Sequence, residues 1–77
     1  MTITFKDRFD KTIVVKTDVN DKKEVFKAID DFLAVRNVES PYMRLIGTLP
    51  NQTMIDYGSH SSFFFVDTDV ENLINSN

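Results

Sequence analysis

Hydrophobic and polar residues alternate over positions 2–6 and again over 12–17, and β-branched residues crowd both stretches. This predicts two strands joined by the turn-forming run at 7–11. Ile3 and Phe5 share a face with Ile13 and Val15 for loops of three or five residues, whereas a two-residue turn at Asp10 and Lys11 would set Phe5 opposite Lys16. An odd loop with Phe9 at its tip is expected. The period then changes. Val25, Phe26, Ile29, Phe32, Leu33 and the stem of Arg36 recur at three- and four-residue spacing, which predicts a helix with one apolar stripe. Asp18 or Asn20 is expected to open it, with Asp21 and Glu24 in the first turn, where the helix dipole favours negative charge. The outer face carries Lys23, Lys27, Asp30, Asp31 and Ala34, and Lys27 and Asp31 are spaced to pair. Asn37 suits a left-handed terminator, and Ser40-Pro41 prevents continuation.

Positions 42–49 return to a period of two. Met43, Leu45 and Leu49 alternate with Tyr42, Arg44 and Thr48, and Ile46 breaks the alternation in a way that suggests partial cover on the second face. Leu49-Pro50-Asn51-Gln52 is a turn signal with proline where its fixed φ is useful. Positions 53–57 read as a fourth strand. Gly58 permits a positive φ, and positions 59–62 form a polar bend before Phe63-Phe64-Phe65-Val66. That unbroken apolar run suits a short strand covered on both faces, or covered on one and engaged with a partner on the other. Thr68-Asp69-Val70-Glu71 has capping-box spacing, and Val70, Leu73 and Ile74 make a short amphipathic helix. Positions 75–77 are expected to fray. The expected fold is α+β, a single domain over 1–77 in the order β-β-α-β-β-β-α. It has a mostly antiparallel sheet, one long amphipathic helix on one face and a short C-terminal helix.

Composition narrows the picture. A 77-residue chain buries only a little more than ~60% of its unfolded surface, so its stability is modest unless something supplements it. Cysteine is absent and there is one histidine, which excludes disulfides and thiolate metal sites and leaves no usual zinc site. No cofactor is expected, and self-association is the simplest remaining route to more buried surface. The first six residues hold neither a basic leader nor a signal-like apolar run, and the longest apolar run is far short of a membrane span, so a cytoplasmic chain with no membrane contact is expected. Nine bases and eight acids precede Leu45, while four acids and no base follow it. The second part therefore has the charge of an acidic surface.

His60 stands among Ser59, Ser61 and Ser62, with Asp56 four residues earlier. A triad needs spatial convergence on a rigid frame, and proximity in a polar bend does not supply it; no enzyme is expected. The bend itself satisfies backbone groups, and His60 at an interface would make binding pH-sensitive. Lys6, Arg8, Lys11 and Lys16 with Phe9 suggest nucleic-acid binding through the first hairpin, but a pI near 4.9 argues against it. Seven phenylalanines and two tyrosines exceed what one helix on one small sheet requires. Aromatic residues are enriched at interface centres. Tyr42, Tyr57, His60, Phe63 and Phe64 are the expected partner contacts.

The run Ile55-Asp56-Tyr57-Gly58-Ser59-His60-Ser61-Ser62-Phe63-Phe64 resembles a segment of small accessory proteins of phages and prophages of low-GC Gram-positive bacteria. The resemblance implies a protein that binds and inhibits a host factor, as anti-CRISPR and other host-takeover proteins do. It transfers no active-site residue. The expected function is a non-enzymatic domain that binds a host protein, with a self-associating module as the alternative.

Overall fold

A computed structural model of the chain describes residues 1–76, apart from the side chain of residue 48. The expected element order is present: β1 (Ile3–Lys6), β2 (Thr12–Lys16), α1 (Lys22–Val35), β3 (Arg44–Leu49), β4 (Gln52–Asp56), β5 (Phe63–Val66) and α2 (Val70–Ile74). The five strands form one antiparallel sheet in the order β2-β1-β5-β4-β3, so β5 is central and β2 and β3 are the edges. No helix among the described residues is long and apolar enough to cross a membrane.

The first hairpin has an odd loop, as expected, of five residues, with Phe5 opposite Ile13 and Lys6 opposite Thr12. Asp7 organises that loop. Its Oδ1 accepts from the N–H groups of Phe9 (2.8 Å) and Lys11 (3.0 Å), which leaves Phe9 at the tip, 69% exposed. The register shifts between Ile3 and Thr4, a bulge that gives β2 an extra residue.

Of the acidic and amide residues before α1, Asp21 is the N-cap, accepting from the Glu24 N–H at 2.9 Å, while the Glu24 carboxylate reaches back to the Asn20 N–H at 2.7 Å. The expected caps are thus corrected: Asp18 takes a left-handed φ of 56° in the preceding turn, and Asn20 gives its N–H to Glu24 rather than capping the helix. Val25, Ile29 and Leu33 are buried as the stripe predicts, and Lys27 pairs with Asp31 at 2.9 Å. Asn37 has φ 57° at the helix end.

Leu49 departs from its expected face. The pairing of β3 with β4 shifts between Gly47 and Leu49, which turns Leu49 to solvent, 62% exposed; the facing of Thr48 lies outside the described residues. Asp69, rather than Thr68, caps α2, accepting from the Asn72 N–H at 2.8 Å. Fraying of the last residues is not seen for Asn75 and Ser76, whose N–H groups donate to the carbonyls of Glu71 and Leu73; Asn77 lies outside the described residues.

Both helices pack on the same face. Val25, Ile29 and Leu33 of α1 and Leu73 of α2 close over Ile3, Ile55, Phe64 and Val66. Gly47 admits α2, since a Cβ there would stand 3.3 Å from Val70 Cγ1. Inside the core four rings cluster: Phe64 lies 5.0 Å from Phe5, 5.5 Å from Phe32 and 5.3 Å from Tyr57, centroid to centroid, in tilted and edge-on arrangements. Buried Thr53 donates to the Thr68 carbonyl at 2.8 Å, tying β4 to the turn that leads into α2.

Candidate functional site

Burial of Phe64 sorts the aromatic residues into two sets. Phe5, Phe32, Tyr57 and Phe64 form the core cluster, with Phe26 packed against it. Phe9, Tyr42, Phe63 and Phe65 lie outside it. Two expected partner contacts are therefore corrected. Phe64 is 0% exposed and Tyr57 7%, because both point to the helix side of the sheet, and neither can reach a partner while the fold is intact.

Phe63 and Phe65 alternate with Phe64 and Val66 and so point to the opposite face, which neither helix covers. Cross-strand registers there bring Ile46, Met54, Phe65, Thr4 and Val14 into one row across all five strands. In the adjoining row Phe63 opposes Lys6, which opposes Thr12. Two shallow hollows flank Phe65. One, of about 250 Å³, is lined by Lys6, Asp7, Arg8, Asp10, Ser61, Phe63 and Phe65. The other, of about 320 Å³, has Thr4, Lys6, Thr12 and Gln52 around the same ring. Charges around the first hollow balance, two basic against two acidic.

Asp56 ends the same face toward Phe63. Its carboxylate is almost enclosed and fully used: Oδ1 accepts from the Gly58 N–H at 2.9 Å, and Oδ2 accepts from Arg44 Nη2 at 3.2 Å and from the Tyr42 hydroxyl at 3.4 Å. Tyr42, one of the expected contacts, is half exposed at this rim.

The loop after Asp56 is held from both sides. Gly58 has φ 103°, and Pro41 packs so closely that a Cβ would lie 2.9 Å from its Cδ and Cγ. Ser40 Oγ donates to the carbonyls of Tyr42 and Tyr57. Ser59 Oγ accepts from the N–H groups of Ser61 and Ser62 and shares a hydrogen bond with Ser62 Oγ, which in turn meets the Tyr57 hydroxyl at 2.6 Å. His60 projects from this knot into solvent. Among the described residues no hydrogen bond links His60 to Asp56 or to a serine hydroxyl, and no three His, Asp or Glu side chains converge as metal ligands. The serines and the aspartate of this segment thus serve the loop's own backbone and the Arg44 pair, and His60 takes part in neither.

The structure brings Tyr42, Phe63 and the loop carrying His60 to one end of the uncovered face. The residues that sequence reasoning missed are Phe65, Met54 and Ile46. Period-two alternation would have paired Phe63 with Phe65, and the break at Ile46 was the visible sign of a second apolar face. Comparison with family models, with curated proteins and with solved structures finds no match for this chain.

Proposed function

We propose that the chain is a non-enzymatic binding domain that takes a partner protein on the uncovered face of its sheet. The row Ile46, Met54, Phe65 and Val14, with Phe63 beside it, carries this reading. An antiparallel sheet tolerates one solvated face when that face is polar, but this one places two aromatic rings and a methionine at its centre. Aromatic residues and methionine are the types enriched where protein interfaces are fully desolvated. The balanced charge around Phe63 and Phe65 favours an apolar protein surface over a polyanion, whose capture needs cationic excess. The resemblance to phage accessory proteins supplies the setting: a protein made by a phage or mobile element that occupies a surface of a host factor.

The test is affinity capture by the tagged protein from a Gram-positive lysate, read by mass spectrometry, with Phe65→Glu and the opposite-side variant Lys23→Glu alongside. One host protein, enriched by the wild type and by Lys23→Glu but lost with Phe65→Glu, is the expected result. Unchanged capture by a folded Phe65→Glu protein would overturn the reading. Recovery of the chain alone, lost in the same variant, would make the occupant of the face a second copy.

A further inference from the structure

β2 is an edge strand, so the N–H and C=O groups on its outer side have no neighbouring strand. It is exposed along most of its length, with only Val15 partly buried. Among the strands, α1 lies closest to β2. The helix buries Val25, Ile29 and Leu33, and the stripe next to these, Glu24, Lys27, Ala28, Asp31 and Val35, keeps the same three- and four-residue spacing. With Val15, Lys16, Phe32 and Arg36 that stripe lines a groove of about 510 Å³ beside the strand. Strands lie ~4.8 Å apart and a helix with its side chains is ~10 Å across, so a helix packed over the end of a sheet overhangs the position of one more strand. Apolar side chains wait there uncovered: Val35 is 81% exposed in the groove and Ile13 43% on the helix side of β2.

Charge selects among occupants. The two acids of the groove are engaged, Asp31 by Lys27 at 2.9 Å and Glu24 by the Asn20 N–H at 2.7 Å. Arg36 lies over the Phe32 ring, its Cζ 3.5 Å from the centroid, and donates to the Phe32 carbonyl at 3.1 Å. Among the described residues neither Arg36 nor Lys16 has a carboxylate partner. A second copy pairing β2 with β2 would bring Lys11 and Lys16 of both copies together, which like-charge repulsion disfavours.

We infer that the groove between β2 and α1 takes an extended acidic segment of another protein as an added strand. Its main chain pairs with the β2 edge; of the alternate side chains that face the groove, the central ones are apolar against Ala28 and Val35 and those flanking them are carboxylates that meet Lys16 and Arg36. This surface is separate from the uncovered sheet face and does not depend on its role.

Three fluorescent peptides test it by polarisation titration: one with valine at the central groove-facing positions, glutamate at the groove-facing positions on either side and threonine between them; the same sequence with lysine for glutamate; and the glutamate sequence with alternate backbone nitrogens methylated. The glutamate peptide is expected to bind at least about tenfold more tightly than the lysine peptide and to lose binding on methylation. Amide exchange over residues 12–16 should slow in its complex. Lys16→Glu, alone and with Arg36→Glu, should weaken binding by about tenfold or more with the circular dichroism spectrum unchanged, while Phe65→Glu should leave it intact. No binding of the glutamate peptide, equal binding of the glutamate and lysine peptides, or binding that survives methylation overturns the inference. So does a sedimenting dimer that excludes the peptide.

Discussion

Phe64 and Phe65 are adjacent in the chain and face opposite sides of the central strand: Phe64 is fully buried among Phe5, Phe32 and Tyr57, and Phe65 opposes Met54 and Thr4 on the side without helices. Truncating them should separate folding from binding. Phe64→Ala removes the ring at the centre of the aromatic cluster and should cost about 3–5 kcal/mol. A domain of this size has on the order of 5 kcal/mol in total, so that variant should be largely unfolded. Phe65→Ala should cost about 1 kcal/mol and keep a cooperative transition. Urea denaturation followed by circular dichroism reads both, and equal losses at the two positions would contradict the assignment of faces.

Asp56 and Arg44 form a pair in which only the acid is buried, with side-chain exposures of 9% and 66%. Arg44→Ala should therefore change stability by no more than about 1 kcal/mol, since the guanidinium loses little that water does not replace. Asp56→Ala also strips the acceptor from the Gly58 N–H and should cost about 2–3 kcal/mol. The difference between the two midpoints in urea is the measurement, and parity would mean that the ion pair, not the loop contact, is what Asp56 contributes.

Gly58 is held at φ 103° against Pro41, and Gly58→Ala meets two separate penalties there. The backbone term is about 1–3 kcal/mol and belongs to position 58 alone. The steric term is shared with the Pro41 ring, so Pro41→Ala should recover part of the loss. A double-mutant cycle by thermal or urea unfolding should give a favourable coupling between the positions. Strict additivity would show that the loop relaxes away from Pro41.

The element order was legible because each segment's period and turn residues agree. An odd loop followed from the need to place Phe5 on one face with Ile13, and its length of five rather than three residues came from the structure. Left-handed turns fell at Asp10, Asp18, Asn37 and Asn51, all residues that tolerate positive φ. Strand order was not legible, because the pairing of β1 with β5 joins residues about sixty positions apart and leaves no local mark. Without that order the run at 63–66 shows no faces, which is why Phe64, an expected contact, is core while Phe65, not an expected one, opposes Met54 on the other face. Neither expected cap of α1, Asp18 or Asn20, holds that place: Asp21, expected inside the first turn, is the N-cap, because the left-handed turn at Asp18 sets where the helix can begin. Leu49 was misplaced by a register shift that alternation cannot reveal.

Loop 59–62 offers a way to tell a contact from a scaffold. Ser59 Oγ takes the N–H groups of Ser61 and Ser62, and Ser62 joins it to the Tyr57 hydroxyl, so Ser59→Ala leaves two donors without their acceptor. That variant should lose about 1 kcal/mol and show faster amide exchange at Ser61 and Ser62. His60 is exposed and outside this network, so His60→Ala should change stability by less than about 0.5 kcal/mol with exchange at the same amides unaltered. If partner capture then falls in His60→Ala as much as in Ser59→Ala, the imidazole itself touches the partner. If it falls only in Ser59→Ala, the loop matters for the shape it gives the rim of the uncovered face, and His60 is a bystander on it.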